Sequence, residues 1–526
     1  MTGANFIGSS RSALGKQTFT AFNPAKGEAL PVHFTMATDG ELQLALTLAK
    51  DAFPAYSSLP ATARAAFLDA IAEEILQEGD ALLERCSAES GLPLARITGE
   101  RGRTCGQLKL FAQLLRDGWW VDARIDTAQP DRAPAPRPDI RRMLVPLGPV
   151  AVFGASNFPL AFSTAGGDCA SALAAGCPVI VKAHPSHPGT NELVSSAIVR
   201  AAQRTGMPGG VFSSLYLSNE HAVQLVRETT IRAVGFTGSR HVGMTLFEAA
   251  ISRPDPIPVF AEMSAVNPVI LLHDALARNG RQIARELAAS VALGAGQFCT
   301  NPGLVFLIES KASEEFLAAF ADAVSAVPAA TMLGKNIYDS YTTAIGNLEK
   351  KKEVSVLAAA PAGNAALCQA QAAAHQIRAA DFIADSYFSN EVFGPATLVV
   401  GCADETELLR ALSSLEGQLT ASIHATGQDE WLLRELIPVI TGKAGRIIYG
   451  GYPTGVEVCH AMQHGGPFPA TTDPRFTSVG TAAIQRFVRP VAYQDLPDHL
   501  LPPALQRANP LNILRLSDGR WTTEPG

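Results

Sequence analysis

The sequence has no long apolar run, no surplus of positive charge and no framework of cysteines. Hydrophobic residues reach 47%, but 44 glycines and 35 prolines cut them into short runs, so no membrane span is expected. A formal charge of -7, without the concentrated basic face that phosphate contacts need, excludes a general role on nucleic acid or anionic membranes. The eight cysteines (86, 105, 169, 177, 299, 368, 402 and 459) include no C-x-x-C pair, which fits reduced thiols in a reducing compartment. The first ten residues lack the basic and apolar regions of a secretory signal, so a cytoplasmic protein is expected. A G-x-S-x-G elbow, a Walker loop, an H-E-x-x-H pair and any internal repeat are also missing.

At 526 residues the chain exceeds what one hydrophobic core serves, so two or more domains are expected. Leu42, Leu46, Ala49 and Phe53, then Ala65, Phe67, Ile71 and Ile75, recur at helical spacing and predict a helical lead-in from Asp39 to about Leu115. The Pro-rich stretch Ala128–Pro138 interrupts it and reads as an exposed connection or a long β-arm. Predicted strands over 149–154, 178–182, 211–217 and 231–236 then alternate with helices over 158–175, 189–205 and 220–227. The pattern resumes with strands over 269–272, 304–309, 396–400 and 444–449 and helices over 277–293, 314–324 and 405–415. Such alternation predicts α/β architecture with parallel sheets, the first half doubly wound. Phe487–Tyr493 is a further strand candidate, ahead of a Pro-rich end.

Five stretches carry candidate chemistry. Cys299, in Gly294-Ala-Gly-Gln-Phe-Cys-Thr-Asn-Pro-Gly303, is either a nucleophile presented on a loop or an inert buried thiol. Glu262 ends an apolar strand and is either a general base with a pKa raised by burial or a surface glutamate. Asn157, in Gly154-Ala-Ser-Asn-Phe-Pro159, reads as a helix N-cap or as an amide donor to an oxyanion. Gly235-Phe-Thr-Gly-Ser-Arg-His-Val-Gly243 leads a strand into a helix, and is a phosphate loop or a plain tight turn. Cys459-His460-x-x-x-His464 has metal-ligand residue types, but the glycines and prolines around it argue against a helix; a substrate-facing loop and no metal are expected.

Taken together, these stretches resemble the aldehyde dehydrogenase superfamily in order and spacing, from about residue 20 to about residue 495. Ser156-Asn157-Phe158-Pro159 is similar to its W-N-F-P segment, Val181-Lys182 to its cofactor lysine, and Phe236-Thr237-Gly238-Ser239 to F-T-G-S. Ala261-Glu262-Met263 is similar to E-L-G-G, Gly296-Gln297-Phe298-Cys299 to G-Q-x-C, and Glu391-Val392-Phe393-Gly394-Pro395 to E-x-F-G-P.

The resemblance implies an α/β fold with a Rossmann-like cofactor domain (1–118 and 149–262) and a catalytic domain (263–481). It also implies an oligomerisation β-arm (119–148 and 482–495), followed by a C-terminal tail (496–526). It implies a homodimer or homotetramer that oxidises a small-molecule aldehyde to a carboxylate through a thiohemiacetal and a thioester on Cys299. Asn157 would hold the oxyanion and Glu262 would activate water. Lys182, Ser239, Glu391 and Phe393 would contact the nicotinamide cofactor, with Gly238 and Gly243 in the phosphate loop.

Two departures from the family pattern refine this expectation. NAD-preferring members carry Glu three residues after the cofactor lysine; here that residue is Pro185, and Lys182, His184 and Arg240 are nearby in sequence or motif, so NADP is expected above NAD, with NAD possible. Ala155-Ser156 before Asn157, Met263-Ser-Ala after Glu262, and the stretches around His464 and Arg475 look most like the branch holding 2-oxoglutarate semialdehyde (2,5-dioxopentanoate) dehydrogenases and a bacterial long-chain fatty aldehyde dehydrogenase. The former is the main expectation and the latter the alternative. Phe162, Phe298, His464 and Arg475 are the expected substrate contacts; the two phenylalanines suggest an apolar tunnel, and Arg475 is the candidate anchor for a carboxylate. A non-redox cysteine hydrolase or acyl-transfer enzyme using Cys299 and His464 is the rival of another class, and would leave Lys182, Ser239 and Glu391 without a task.

Overall fold

The helical lead-in forms where the periodicity places it. The computed structural model describes residues 1–525. Helices span Asp39–Ser57, Ala61–Gln77, Gly79–Ser90 and Leu94–Asp117. Thr38 starts the first with a reciprocal capping box to Glu41, and Gly91 and Gly118 end the last two in the left-handed conformation that glycine adopts without steric cost. Ala65, Phe67 and Ile71 are fully buried, forming one core with the helix Gly167–Ala175 and the strands behind it. Among the described residues no helix is long and apolar enough to cross a membrane.

Two seven-stranded sheets form the body. The first runs in the order Val259–Glu262, Ala233–Thr237, Val150–Phe153, Val179–Lys182, Phe212–Leu215, Asn5–Ile7 and Ser10–Ser12. Its first five strands are parallel, and the N-terminal pair adds antiparallel at the edge. Val150–Phe153 and Val179–Val181 are wholly buried, as strands covered on both faces must be. The chain moves outward from Val150–Phe153 in one direction and returns on its other side at Ala233–Thr237, which creates a crevice at the carboxyl ends of those two strands.

The second sheet runs Ser355–Ala359, Ala373–Arg378, Ala396–Cys402, Leu304–Ile308, Val269–Leu271, Gln418–His424 and Ala444–Tyr449, parallel except for the first strand. A third sheet pairs Val488–Gln494 with Ile140–Pro146, then Arg124–Asp126, Arg515–Ser517 and Arg520–Thr522. The segment after residue 495, read from sequence as a separate tail, therefore contributes two strands to the arm sheet, and Arg515 is fully buried there.

One predicted helix is shorter than expected. The segment from Asn157 to Gly166 is a series of turns, and the helix covers only Gly167–Ala175. The backbone N–H groups of Leu160 and Ala161 donate to Glu100 Oε1, each at 2.9 Å, so an external carboxylate replaces the carbonyls that a helix would supply.

Candidate active site

The carboxyl edge of the first sheet faces the amino edge of the second, and nearly every residue of interest sits on one of these two edges. Asn157, Lys182, Ser239 and Glu262 follow or end strands of the first sheet. Asn267, Cys299 and Pro395 precede strands of the second. The first set and Cys299 line a cleft of about 660 Å³, together with His184, Gly238, Glu391 and Phe393.

Cys299 is held by an unusual backbone. Gly294, Ala295 and Gly296 have φ of 58°, 57° and 66°, three consecutive left-handed residues, of which Ala295 carries a side chain and costs about 1–2 kcal/mol. A Cβ on Gly296 would lie 2.2 Å from the carbonyl of Gly394, so the nucleophile loop is pressed against the Glu391–Pro395 segment. Asn267, fully buried with φ 46°, donates through Nδ2 to the carbonyls of Cys299 (2.9 Å) and Asn301 (3.0 Å) and accepts from Thr420 Oγ1. Asn301 Nδ2 in turn donates to the Gly394 carbonyl at 3.1 Å.

Around the thiol stand His464 and Glu262, in contact with each other. His464 Nε2 is 3.4 Å from Cys299 Sγ and 2.9 Å from Glu262 Oε1. Glu262 Oε2 accepts a hydrogen bond from Ser478 Oγ at 2.6 Å. The side chains of Glu262 and His464 are almost wholly excluded from solvent. Burial by itself would raise the Glu262 pKa, but the His464 imidazole and the Ser478 hydroxyl outweigh it and hold the carboxyl below its ordinary value. The Cys299 thiol is pushed well up, first by burial and then by the Glu262 charge, so the resting sulfur keeps its proton.

Asn157 is not a helix cap. Its Nδ2 donates to the Gln297 carbonyl at 3.0 Å, which places the amide two residues from Cys299. Phe162 and Phe298 both pack edge-on against Phe158, each at 5.3 Å between ring centres, and Phe162 also contacts the His464 ring at 6.2 Å. This wall is aromatic but not purely apolar: the guanidinium of Arg96 lies over Phe158 and that of Arg103 over Phe162.

Ser239 caps the helix Arg240–Ile251 by accepting from the Val242 N–H, so the free amides of that helix end face the crevice. Thr237 Oγ1 is buried there without a partner. The Lys182 ammonium is desolvated and has its pKa lowered by burial. Burial pushes the Glu391 carboxyl up to about 7. A bonding hydroxyl, a cation and amide donors along one crevice suit a phosphate- and ribose-bearing ligand, and the residues fit a nicotinamide cofactor. His184 lines the same cleft, but burial and then the neighbouring His187 and Lys182 charges drive its pKa well below the usual value, so it stands there neutral.

Two predicted residues lie elsewhere. Arg240 turns its guanidinium to Glu416 at 2.8 Å and over the ring of Phe468, away from the crevice. Arg475 has a side chain 78% exposed and chelates Asp473, so it does not reach the thiol as an anchor. Of the Cys459-His460-His464 group, only His464 enters the site; His460 bonds to Thr481. Sequence reasoning missed Asn267, Ser478 and Arg103. The last had a signal: Arg96, Glu100, Arg103 and Gln107 repeat at helical spacing along a helix face that would otherwise be apolar.

Comparison with known proteins agrees with this geometry. Residues 11–466 match the model of the aldehyde dehydrogenase family. The chain is 54% identical to alpha-ketoglutaric semialdehyde dehydrogenase 2 of Azospirillum brasilense, over 99% of both chains. It is 46% identical to alpha-ketoglutaric semialdehyde dehydrogenase of Acinetobacter baylyi, again over 99% of both. Among solved structures, aldehyde dehydrogenase 21 from Physcomitrella patens, in complex with the reaction product succinate, superposes with a TM-score of 0.80 at 18% identity, covering 93% of this chain and 97% of that one; at that identity it speaks to the fold alone. With the family model spanning most of its length and the fold and cleft in agreement, the chain belongs to the aldehyde dehydrogenase family.

Proposed function

We propose that the protein oxidises 2-oxoglutarate semialdehyde (2,5-dioxopentanoate) to 2-oxoglutarate, with NADP preferred to NAD. The observation that carries the chemistry is the convergence of Cys299, His464 and Glu262, whose reactive atoms all lie within 4.8 Å of one another, with Cys299 and Glu262 on the wall of the cleft. The two full-length relatives support the substrate. Preference for NADP rests on Pro185, which puts no carboxylate where a 2′-phosphate would lie, and on Lys182 beside it.

The Cys299 thiol loses its proton to water as the aldehyde binds, and His464 Nε2–H, held by Glu262 at 2.9 Å, faces the sulfur at 3.4 Å. The thiolate attacks the carbonyl carbon, and the oxygen that gains charge is met by the Asn157 amide and the Cys299 backbone N–H. A nicotinamide bound in the crevice, contacted by Lys182, Ser239 and Glu391, supplies the hydride acceptor. Glu262, kept ionised by Ser478 and His464, then draws a proton from the water that hydrolyses the Cys299 thioester. The Cys–His contact also suits a non-redox hydrolase, and the phenylalanine wall suits a long-chain aldehyde.

One assay separates all three. Initial rates of NADP and NAD reduction are compared for 2-oxoglutarate semialdehyde and decanal, with Cys299→Ala as control. A higher kcat/KM for the semialdehyde with NADP supports the proposal, and a higher value for decanal transfers it to fatty aldehydes. No cofactor reduction with any aldehyde would sink it. We also assign 1–118 and 149–262 to cofactor binding, 263–481 to catalysis, and the arm sheet to pairing of subunits in a dimer or tetramer. Exposed Trp119, Leu514 and Trp521 beside that sheet support the last assignment.

A further inference from the structure

We propose that Arg103 is the anchor for the far carboxylate of the substrate, a role that rests on the semialdehyde reading above. Arg103 is a cation that acts on both Cys299 and Glu262 and that no carboxylate neutralises among the described residues. Its Nη1 is buried with no hydrogen-bond partner, and its Nη2 makes only a long 3.3 Å bond to the Val456 carbonyl. Among the described residues it forms no ion pair. The nearest acid on its own helix, Glu100, is fully engaged: Oε1 takes the Leu160 and Ala161 amides and Oε2 takes Arg96 at 2.6 Å.

Position argues the same way. The guanidinium lies 5.3 Å from the centre of the Phe162 ring, which also meets the His464 ring at 6.2 Å. One phenyl ring therefore touches both Arg103 and the group beside Cys299, so a carboxylate paired with Arg103 would belong to a substrate that runs along that ring. The positive charge also acts on both Cys299 and Glu262. A buried guanidinium with an unmade hydrogen bond is costly in a protein of no particular ligand, and is relieved by a carboxylate that pairs with it.

Arg446 bounds the same region with a different duty. Its Nη2 and Nη1 donate to the carbonyls of Pro453 (2.8 Å) and Gly455 (3.2 Å), so it fixes the loop that Arg103 touches at Val456. Its donors are largely spent on backbone, and it serves here as a positioning residue.

The test compares a carboxylated with an uncharged substrate in the full-length enzyme. Kinetics with 2-oxoglutarate semialdehyde and with pentanal are measured for wild type, Arg103→Gln and Arg103→Lys. The expected result is a fall of about 50-fold in the kcat/KM preference for the semialdehyde in Arg103→Gln, carried mainly by KM, with pentanal changed less than about 3-fold and partial recovery in Arg103→Lys. Glutarate, which has no aldehyde, should raise the Tm of wild type and not that of Arg103→Gln. An unchanged preference, or an equal loss on both substrates, overturns the anchor. Should Arg103→Gln not fold, Arg103→Lys decides, a preference reduced about 5-fold supporting the anchor and an unchanged one overturning it. A wild type that does not prefer the semialdehyde to pentanal overturns the substrate reading, and the anchor with it, whatever the variants do.

Discussion

The two sheets contribute to the site from opposite ends of their strands, and they do it by different means. On the first sheet, side chains stand where strands stop and helices begin, so position follows from topology: Ser239 caps a helix, Glu262 ends a strand, and Lys182 ends another strand of the same sheet. On the second, Cys299 precedes its strand and is held by a left-handed run and by the buried Asn267 clamp. The first edge is built by a rule common to doubly wound sheets. The second depends on particular residues, so substitutions there should cost more.

The sharpest break lies at the second edge. Cys299→Ala should lower aldehyde oxidation by about 10⁴-fold or more while cofactor binding, measured by fluorescence titration, stays within about 3-fold of wild type. Glu262→Gln, on the first edge but facing the thiol, should lower steady-state kcat by about 10²–10³-fold. A pre-steady-state burst of reduced cofactor should survive in that variant, because the lost step is thioester hydrolysis; absence of the burst would place Glu262 earlier in the reaction.

Asn267→Ala leaves two buried carbonyls without their donor and should destabilise the protein by about 2–3 kcal/mol in urea unfolding, with kcat falling too. Ser239→Ala, its counterpart on the first edge, should cost about 1 kcal/mol and affect cofactor KM alone. Equal losses in the two variants would erase the contrast between the edges.

Glu391 gives a titration that tests its proposed part in cofactor binding. Its carboxyl has a raised pKa of about 7, so it is mostly protonated below that pH and ionised above it. If the carboxylate accepts from ribose hydroxyls, cofactor affinity should be about 10-fold weaker at pH 6 than at pH 8, and Glu391→Gln should flatten the profile. The smallest effect is expected from Pro185→Glu, which should shift the kcat/KM ratio of NADP to NAD by about 10-fold or less toward NAD without altering the burst.

Much of the first sheet was legible because buried parallel strands are short apolar runs between turn residues, as at Val150–Phe153 and Val179–Val181. The strand Gln418–His424 was not, since Thr420 and Ser422 interrupt the apolar pattern although both are fully buried; Thr420 is there to bond Asn267. The helix read from Phe158 begins only at Gly167, because Glu100, some sixty residues away, takes the amides of Leu160 and Ala161. Half of the cluster around the thiol was legible: motif spacing singled out Cys299 and Glu262, whereas the closeness of His464 and Ser478 to them arises from loops packing across the sheet edges. Arg475 drew notice in place of Arg103 because it sits in a distinctive stretch, while burial without a partner is a property of three dimensions.

The arm sheet imposes an order on biosynthesis. Its inner strand Arg124–Asp126 is flanked by Ile140–Pro146, made soon afterwards, and by Arg515–Ser517, and Thr127 N–H is bonded to an Asp518 that lies 391 positions further along. While a ribosome is still translating the catalytic sheet, that strand presents one unpaired edge, the kind of surface on which nascent chains of a polysome can pair wrongly. The edge closes only after residue 518 has emerged, so vectorial folding of this protein leaves its third sheet unfinished until late.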